Sequence, residues 1–330
     1  MDKRKLGRSG LDISVLTFGC GAVGGLMTRG EAGEQERAVA RALEAGINHF
    51  DTAASYGDGA SEENLGRVLA KLKPDIVLST KVRVPAERPD TAGAIFASLD
   101  ASLTRLKRDS VDVFQLHNTI GARSDGFTMS VEEVLGDVVP AFTRAREQGK
   151  IRFLGFTAIG ETHALHRLIA CGAFQSAQVP YNVLNPSGGD TVPAAYPAQD
   201  YDRILDRAAE SGVGTIGIRV LAGGAMSGSE ARGALGLQSV EPIGSGGSYA
   251  SDVARARRLE PMVAEGHASN LTEMAMRFAI SNTKLTTTEI GLGNLAELEA
   301  AIAAVQAGPL SPHALERLKA LQAGFIGETR

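Results

Sequence analysis

No tryptophan occurs among the 330 residues, and aromatic side chains make up only 5% of the chain. Cysteine is nearly missing too: there are two, Cys20 and Cys171, and neither has a metal-like neighbour. That count excludes a disulfide framework and makes a reducing cytoplasm the expected compartment. No apolar run approaches the ~20 residues needed to span a bilayer. No apolar segment follows the charged start MDKRKLGRSG, so neither an anchor nor a signal peptide is expected. A strong charge of either sign is also absent. The net charge of −4, with pI near 5.9, gives no electrostatic reason to bind nucleic acid or an anionic membrane. What is present is a chain 43% apolar and 22% charged, long enough for one large α/β core or two ordinary domains.

Short β-like runs alternate with helical patterns along nearly the whole chain. The predicted strands are 15–21, 47–52, 75–81, 111–117, 151–157, 176–181, 214–220 and 285–292. Between them lie amphipathic segments at 34–45, 61–72, 92–107, 131–148, 161–170 and 200–210. Val39, Leu43 and Ile47, at i, i+4, i+8 spacing, mark a helix with one buried face running into the next strand. Ser130 with Glu133, and Asn270 with Glu273, read as capping boxes. Eight strand–helix units predict a closed (β/α)₈ barrel spanning residues 1–330 as a single domain. The rival is an open doubly wound sheet. Its phosphate loop would be GCGAVGG (19–25), but those glycines do not open a helix, and a flexible loop after the first strand is expected instead. The Gly/Ser-rich stretch 222–249 reads equally as a disordered surface insertion or as a mobile flap at the mouth of a barrel.

Barrel strands aim their C-terminal ends at one face, where active sites are built. Asp51 and Tyr56 follow the second predicted strand, Lys81 closes the third and His117 the fourth. A lysine ending a buried strand needs an anion, and Asp51 is the nearest candidate. A nearby ammonium is expected to lower the pKa of a tyrosine, and a neutral histidine can orient a carbonyl oxygen. Together the four deliver a proton to an oxygen that is gaining charge. The hydride that completes a reduction must come from a nicotinamide cofactor. Taken singly, each has a plainer role: Asp51 as a cap, Tyr56 as a surface aromatic, His117 as a core histidine. Their clustering on three consecutive strand ends favours the chemical reading. His163 and His166 stand at i, i+3, but no third ligand is evident, so a solvated helix face is expected there. His49 and Cys20 read as structural.

These segments resemble the aldo-keto reductase family. LGRSGLDISVLTFGC is similar to its amino-terminal hairpin and first strand, and DTAASYGDGASEENLG to its Asp-Thr-Ala…Tyr-Gly…Ser-Glu…Gly signature. LSTK and VDVFQLHN resemble its lysine and histidine segments. The resemblance implies a (β/α)₈ barrel, with Asp51, Tyr56, Lys81 and His117 as the catalytic tetrad and Tyr56 as the general acid. It implies that Gln178, in AQVPYN, bonds a nicotinamide carboxamide. RVLAGGAM is similar to the family's Ser-Pro-Leu-x-x-Gly loop under the pyrophosphate, which brings in Arg219, Leu221 and Gly224. IGLGNLAELEAAI resembles the segment that binds the adenosine phosphate, which brings in Gly291, Gly293, Asn294 and Glu297. There are departures. Thr157 replaces the usual Ser and Ala158 the usual Asn, so one carboxamide contact is expected to be lost. Ile218 stands where an aromatic is frequent. Arg219 replaces a Ser, and pairs either with a cofactor phosphate or with a barrel carboxylate. NADP(H) is the family default, whereas a carboxylate at Glu297 repels a 2′-phosphate and suits NAD(H).

The function expected from this resemblance is NAD(P)H-dependent reduction of an aldehyde or ketone. The alternatives are oxidation of a sugar by the same groups run in reverse, and a nicotinamide-sensing regulatory subunit of the potassium-channel β type. The expected partner is a small carbonyl compound or sugar, with no nucleic acid, membrane or metal. Substrate identity is assigned to loops 22–33, 83–90, 118–130, 185–199 and 222–249. The scarcity of aromatics predicts a more polar or a roomier pocket. Oligomeric state is not readable from the sequence.

Overall fold

The computed structural model describes residues 1–84, 89–244 and 247–327. Eight parallel strands close into a barrel in chain order: β1 (Leu16–Gly19), β2 (His49–Asp51), β3 (Val77–Val82), β4 (Val111–Leu116), β5 (Ile151–Thr157), β6 (Ser176–Pro180), β7 (Gly214–Ile218) and β8 (Thr287–Gly291), with β8 pairing back onto β1. Each falls inside or within one residue of its predicted run. The hairpin of Lys3–Lys5 and Asp12–Ser14 precedes the barrel. Its Leu6 and Ile13 pack with Val77, Val113 and Ile216 into a small apolar cluster near the starts of β3, β4 and β7. That cluster plugs the end of the barrel opposite the strand C-termini.

Successive strand residues point to opposite faces, so inward residues recur every second position. Thr17, His49, Ser79 and Thr287 form one such layer. Thr17 Oγ1 lies 2.7 Å from His49 Nδ1 and 2.8 Å from Thr287 Oγ1, and His49 Nε2 lies 2.7 Å from Ser79 Oγ. His49 is therefore a fully bonded core histidine, as its sequence context suggests. Two residues further along the same strands stand Gly19, Asp51, Lys81 and Glu289, which form the next layer toward the mouth.

Helices cover the barrel with the expected apolar faces. Ala32–Glu44 buries Ala38, Val39 and Ala42, and Ala60–Leu72 buries Leu65, Val68 and Leu69. The segment predicted as one helix over 131–148 carries a π turn at Val134–Val138, where the Val139 amide bonds the Val134 carbonyl. Pro140 follows and has no N–H to offer, so the ladder widens just before it. The helix predicted from 200 starts at Ile204, because Asp202 and Arg203 take left-handed backbone conformations, φ 47° and 53°. Among the described residues no helix is long and apolar enough to cross a membrane.

Candidate active site

Tyr56 reaches the barrel mouth on the turn between β2 and the helix Ala60–Leu72. The Tyr56 amide donates to the Ala53 carbonyl (3.1 Å), and the Tyr56 carbonyl accepts from the Ser61 amide (3.2 Å). Ser61 is fixed in turn through Thr52 Oγ1 (2.8 Å) and the Cys20 carbonyl (2.9 Å). The ring is thus anchored at its base, with its hydroxyl free to meet what lies below.

Below it is an ion pair sealed from water. Lys81 is 1% exposed and Asp51 0%. The Lys81 ammonium donates to the Asp51 carboxylate, to the Thr52 carbonyl (2.8 Å) and to the Tyr56 hydroxyl (3.2 Å). The other Asp51 oxygen accepts from Gln115 Nε2 at 2.8 Å. All three ammonium protons have partners, which is what a buried charge requires. Removing one partner of such a pair strands the other, at about 3–5 kcal/mol. Burial works against the Lys81 charge, but Asp51, Tyr56 and Glu289 outweigh it and hold the ammonium above its ordinary range.

Tyr56 corrects a sequence-based expectation. Burial pushes its pKa up to about 12, Asp51 and Glu289 add to that, and Lys81 pulls it back only partway. The sequence shows the ammonium but not the desolvation, which wins here. Tyr56 is therefore a protonated donor at neutral pH. His117 stands edge-on to the Tyr56 ring, with centroids 5.8 Å apart and planes at 86°, and its amide donates to the Val82 carbonyl at 2.7 Å. Burial, then Lys81 and Arg83, lower its pKa to about 3, so it is neutral across the physiological range.

Tyr56 and His117 form one end of a cavity of about 1120 Å³, with Asp51 and Lys81 beneath its floor. All nine cofactor-binding candidates line this cavity: Thr157, Gln178, Arg219, Leu221, Gly224, Gly291, Gly293, Asn294 and Glu297. A small-molecule site usually occupies about 300–1,000 Å³, so this cavity is roomy for one. Thr157 Oγ1 donates to Gln178 Oε1 (3.1 Å), and Gln178 Nε2 donates to Glu289 Oε2 (2.8 Å). Arg219, at φ 61°, has no carboxylate partner among the described residues, so the barrel salt bridge is not formed. At the far end Asn294 Oδ1 accepts from the Glu297 amide (2.9 Å), and Glu297 Oε2 accepts from the Gly293 amide (2.7 Å).

Several loop expectations change. Residues 19–25 are pinned rather than loose: the Leu26 amide donates to the Leu292 carbonyl at 2.9 Å. A Cβ on Gly24 would stand 2.4 Å from the Leu292 backbone nitrogen, so glycine there allows a close backbone approach to the residue that follows β8. The stretch 222–249, of which 245 and 246 lie outside the described residues, packs over the cavity through Gly223, Arg232, Leu235, Ile243 and Tyr249. Of the five loops assigned to substrate, 22–33 and 222–249 line the cavity. Loops 118–130 and 185–199 do not, and the remaining one, 83–90, is described only in part. Ile159, Ile218, Val220 and Leu292 wall the cavity, with Tyr56 and Tyr249 its only aromatics among the described residues. The scarcity of aromatics thus gives room rather than polarity. Cys20 is a buried thiol pushed well up by burial, and His166 Nε2 is committed to the Tyr201 carbonyl at 3.0 Å.

One site residue escaped the sequence reading. Glu289 sits on β8 in a run of threonines, LTTTEIGL, and its inward direction follows from standing two residues after Thr287.

Residues 15–323 match the model of the Aldo/keto reductase family. The chain is 27% identical over 325 residues to L-glyceraldehyde 3-phosphate reductase of Escherichia coli, covering 91% of this chain and 86% of that protein. It is 31% identical over 163 residues to L-galactose dehydrogenase of Arabidopsis thaliana, covering 48% and 49%. It matches about half the length of several of its curated relatives. The fold is shared with a Bacillus halodurans aldo-keto reductase in its holo form, at 23% identity and a TM-score of 0.73, over 100% of this chain and 98% of that one. This chain belongs to the aldo/keto reductase family of oxidoreductases.

Proposed function

We propose that this protein reduces an aldehyde or ketone to an alcohol at the expense of NAD(P)H, with Tyr56 as general acid assisted by Lys81, Asp51 and His117. The observation that carries the reading is the chain from the Tyr56 hydroxyl to Lys81 Nζ (3.2 Å) and on to Asp51, set at the end of a roomy cavity. Bound cofactor supplies the hydride. Tyr56 gives its proton to the substrate oxygen as negative charge builds there, and the Lys81 ammonium stabilises the phenolate left behind. Asp51 keeps Lys81 charged and aimed. Neutral His117 orients the carbonyl oxygen through a ring N–H. Thr157 and Gln178 would hold the nicotinamide carboxamide, Arg219, Leu221 and Gly224 the pyrophosphate, and Gly291, Gly293, Asn294 and Glu297 the adenosine end. NADP(H) is the family's default cofactor, and the Glu297 carboxylate favours NAD(H).

Tyr56→Phe tests this, because it keeps the ring and removes the proton. Turnover with the best carbonyl substrate of a panel is expected to fall about 10²–10⁴-fold, while the affinity for cofactor stays the same. Undiminished turnover removes Tyr56 from the chemistry. The same groups run backwards oxidise a sugar, and the likeness to L-galactose dehydrogenase favours including sugars with oxidised cofactor in that panel.

A further inference from the structure

Glu289 has no part in the proton transfer described above, yet it occupies the heart of the site. It is the inward residue of β8, in the layer of Asp51 and Lys81, and it lines the same cavity as Tyr56 and Gln178. Room for it is made by Gly19 on the neighbouring strand. A Cβ on Gly19 would stand 3.0 Å from Glu289 Cγ and 2.5 Å from the Ile290 carbonyl oxygen. Glu289 is only half-buried, open on its cavity side, but a second carboxyl beside Asp51 is still costly. Burial and Asp51 both push Glu289 well above the ordinary carboxylate range.

The position is explained by Gln178. A glutamine amide has two nearly isosteric orientations, and its neighbours decide between them. Thr157, on the Oε1 side, decides nothing, because a hydroxyl both donates and accepts. Glu289 Oε2, 2.8 Å from Gln178 Nε2, decides alone: ionised, the carboxylate only accepts, and protonated toward Asp51, it still offers its other oxygen as an acceptor. In both of these states the amide nitrogen of Gln178 faces β8.

Resting on the reading that Gln178 bonds the nicotinamide amide, we infer that Glu289 is a positioning residue that locks the Gln178 carboxamide in one orientation. The cofactor amide then meets one remaining N–H and one remaining oxygen lone pair, at fixed places. Two hydrogen-bonded runs, Tyr56–Lys81–Asp51 and Glu289–Gln178–Thr157, therefore stand side by side in the site, one ending at the proton donor and the other at the residue that would seat the nicotinamide.

The test compares Glu289→Gln with Glu289→Leu in the full-length protein, alone and in a Gln178→Ala background. The readouts are the dissociation constants of NADPH and NADH by fluorescence titration and the isotope-labelled side-chain amide signals of Gln178. Glu289→Gln keeps an oxygen for Gln178 Nε2 and gives Asp51 an N–H, so affinity is expected to stay within about threefold of the parent. Glu289→Leu is expected to weaken cofactor binding about tenfold and to split or broaden the Gln178 amide signals. In the Gln178→Ala background it should cost nothing further. If Glu289→Leu binds as tightly as the parent, if its effect persists without Gln178, or if Glu289→Gln loses as much, the inference is overturned. Should Glu289→Leu fail to fold, the Glu289→Gln titration and the amide signals of the parent still decide. A parent protein that binds neither nucleotide sinks the functional reading instead, and the amide signals then judge the lock separately.

Discussion

His49 is held neutral between Thr17 and Ser79, and burial lowers its pKa to about 4, against the opposing pull of Asp51 and Asp112. Above about pH 6.5 the ring is neutral whether the chain is folded or not. As pH falls from about 6.5 to 4, the unfolded chain takes up the proton and the folded one does not, so stability is lost across that window, by about 3 kcal/mol for this group. Denaturant titrations of the parent and of His49→Gln, run from pH 7 to 4.5, are expected to show a shallower acid loss in the variant. Parallel curves would remove His49 from the acid response. At this scale the sequence points to Asp51, Lys81 and His117, because a charged or polar residue closing an apolar run stands out, and to Tyr56 by its place in the glycine-rich turn after Asp51. It does not reveal the sign of the Tyr56 shift, which depends on desolvation that only packing supplies. It also hides Glu289, whose threonine neighbours blur the inward–outward alternation.

Helix entry is where local rules read most cleanly, and where their details need backbone angles. Ser130, at φ −71°, makes the complete reciprocal box with Glu133. Asn270 and Asn294, both at φ −162°, also cap their helices, but Glu273 and Glu297 reach past the cap to the amides of Ser269 and Gly293. The more extended cap turns its own N–H away and brings the preceding one within reach. At the helix Leu295–Gln306 this occupies the Gly293 and Glu297 amides and leaves a carboxylate in front of a helix N-terminus that would otherwise attract an anion. Glu297→Gln preserves the cap, because glutamine serves at the same position. It is expected to shift the ratio of NADPH to NADH affinity toward NADPH by about threefold to tenfold, read by paired fluorescence titrations at low salt. An unchanged ratio places the 2′-position beyond the reach of Glu297.

On the scale of the whole molecule, closure of the sheet removes its edges, and the Leu6–Ile13 cluster seals one end, so polar groups inside the barrel face only one exit. Two stacked polar layers rise toward that exit. The lower one, around His49, is satisfied internally, and the upper one presents Tyr56 and Gln178 to a cavity that also gathers Arg219 and the helix start at Asn294. The eight-strand order was legible because each strand–helix unit repeats the same change of period. The loops over the mouth were not, because their paths depend on close approaches such as Gly24 against Leu292, which no local pattern announces. The account stands on this cavity holding a nicotinamide dinucleotide against Tyr56. Titration of the purified protein with NADPH and, separately, NADH, followed by cofactor fluorescence, tests that most directly. Saturable binding of at least one nucleotide, at one site per chain, is the predicted result. Folded protein that binds neither would contradict it, and would leave Tyr56, Lys81 and Asp51 as a polar core with no chemistry to perform.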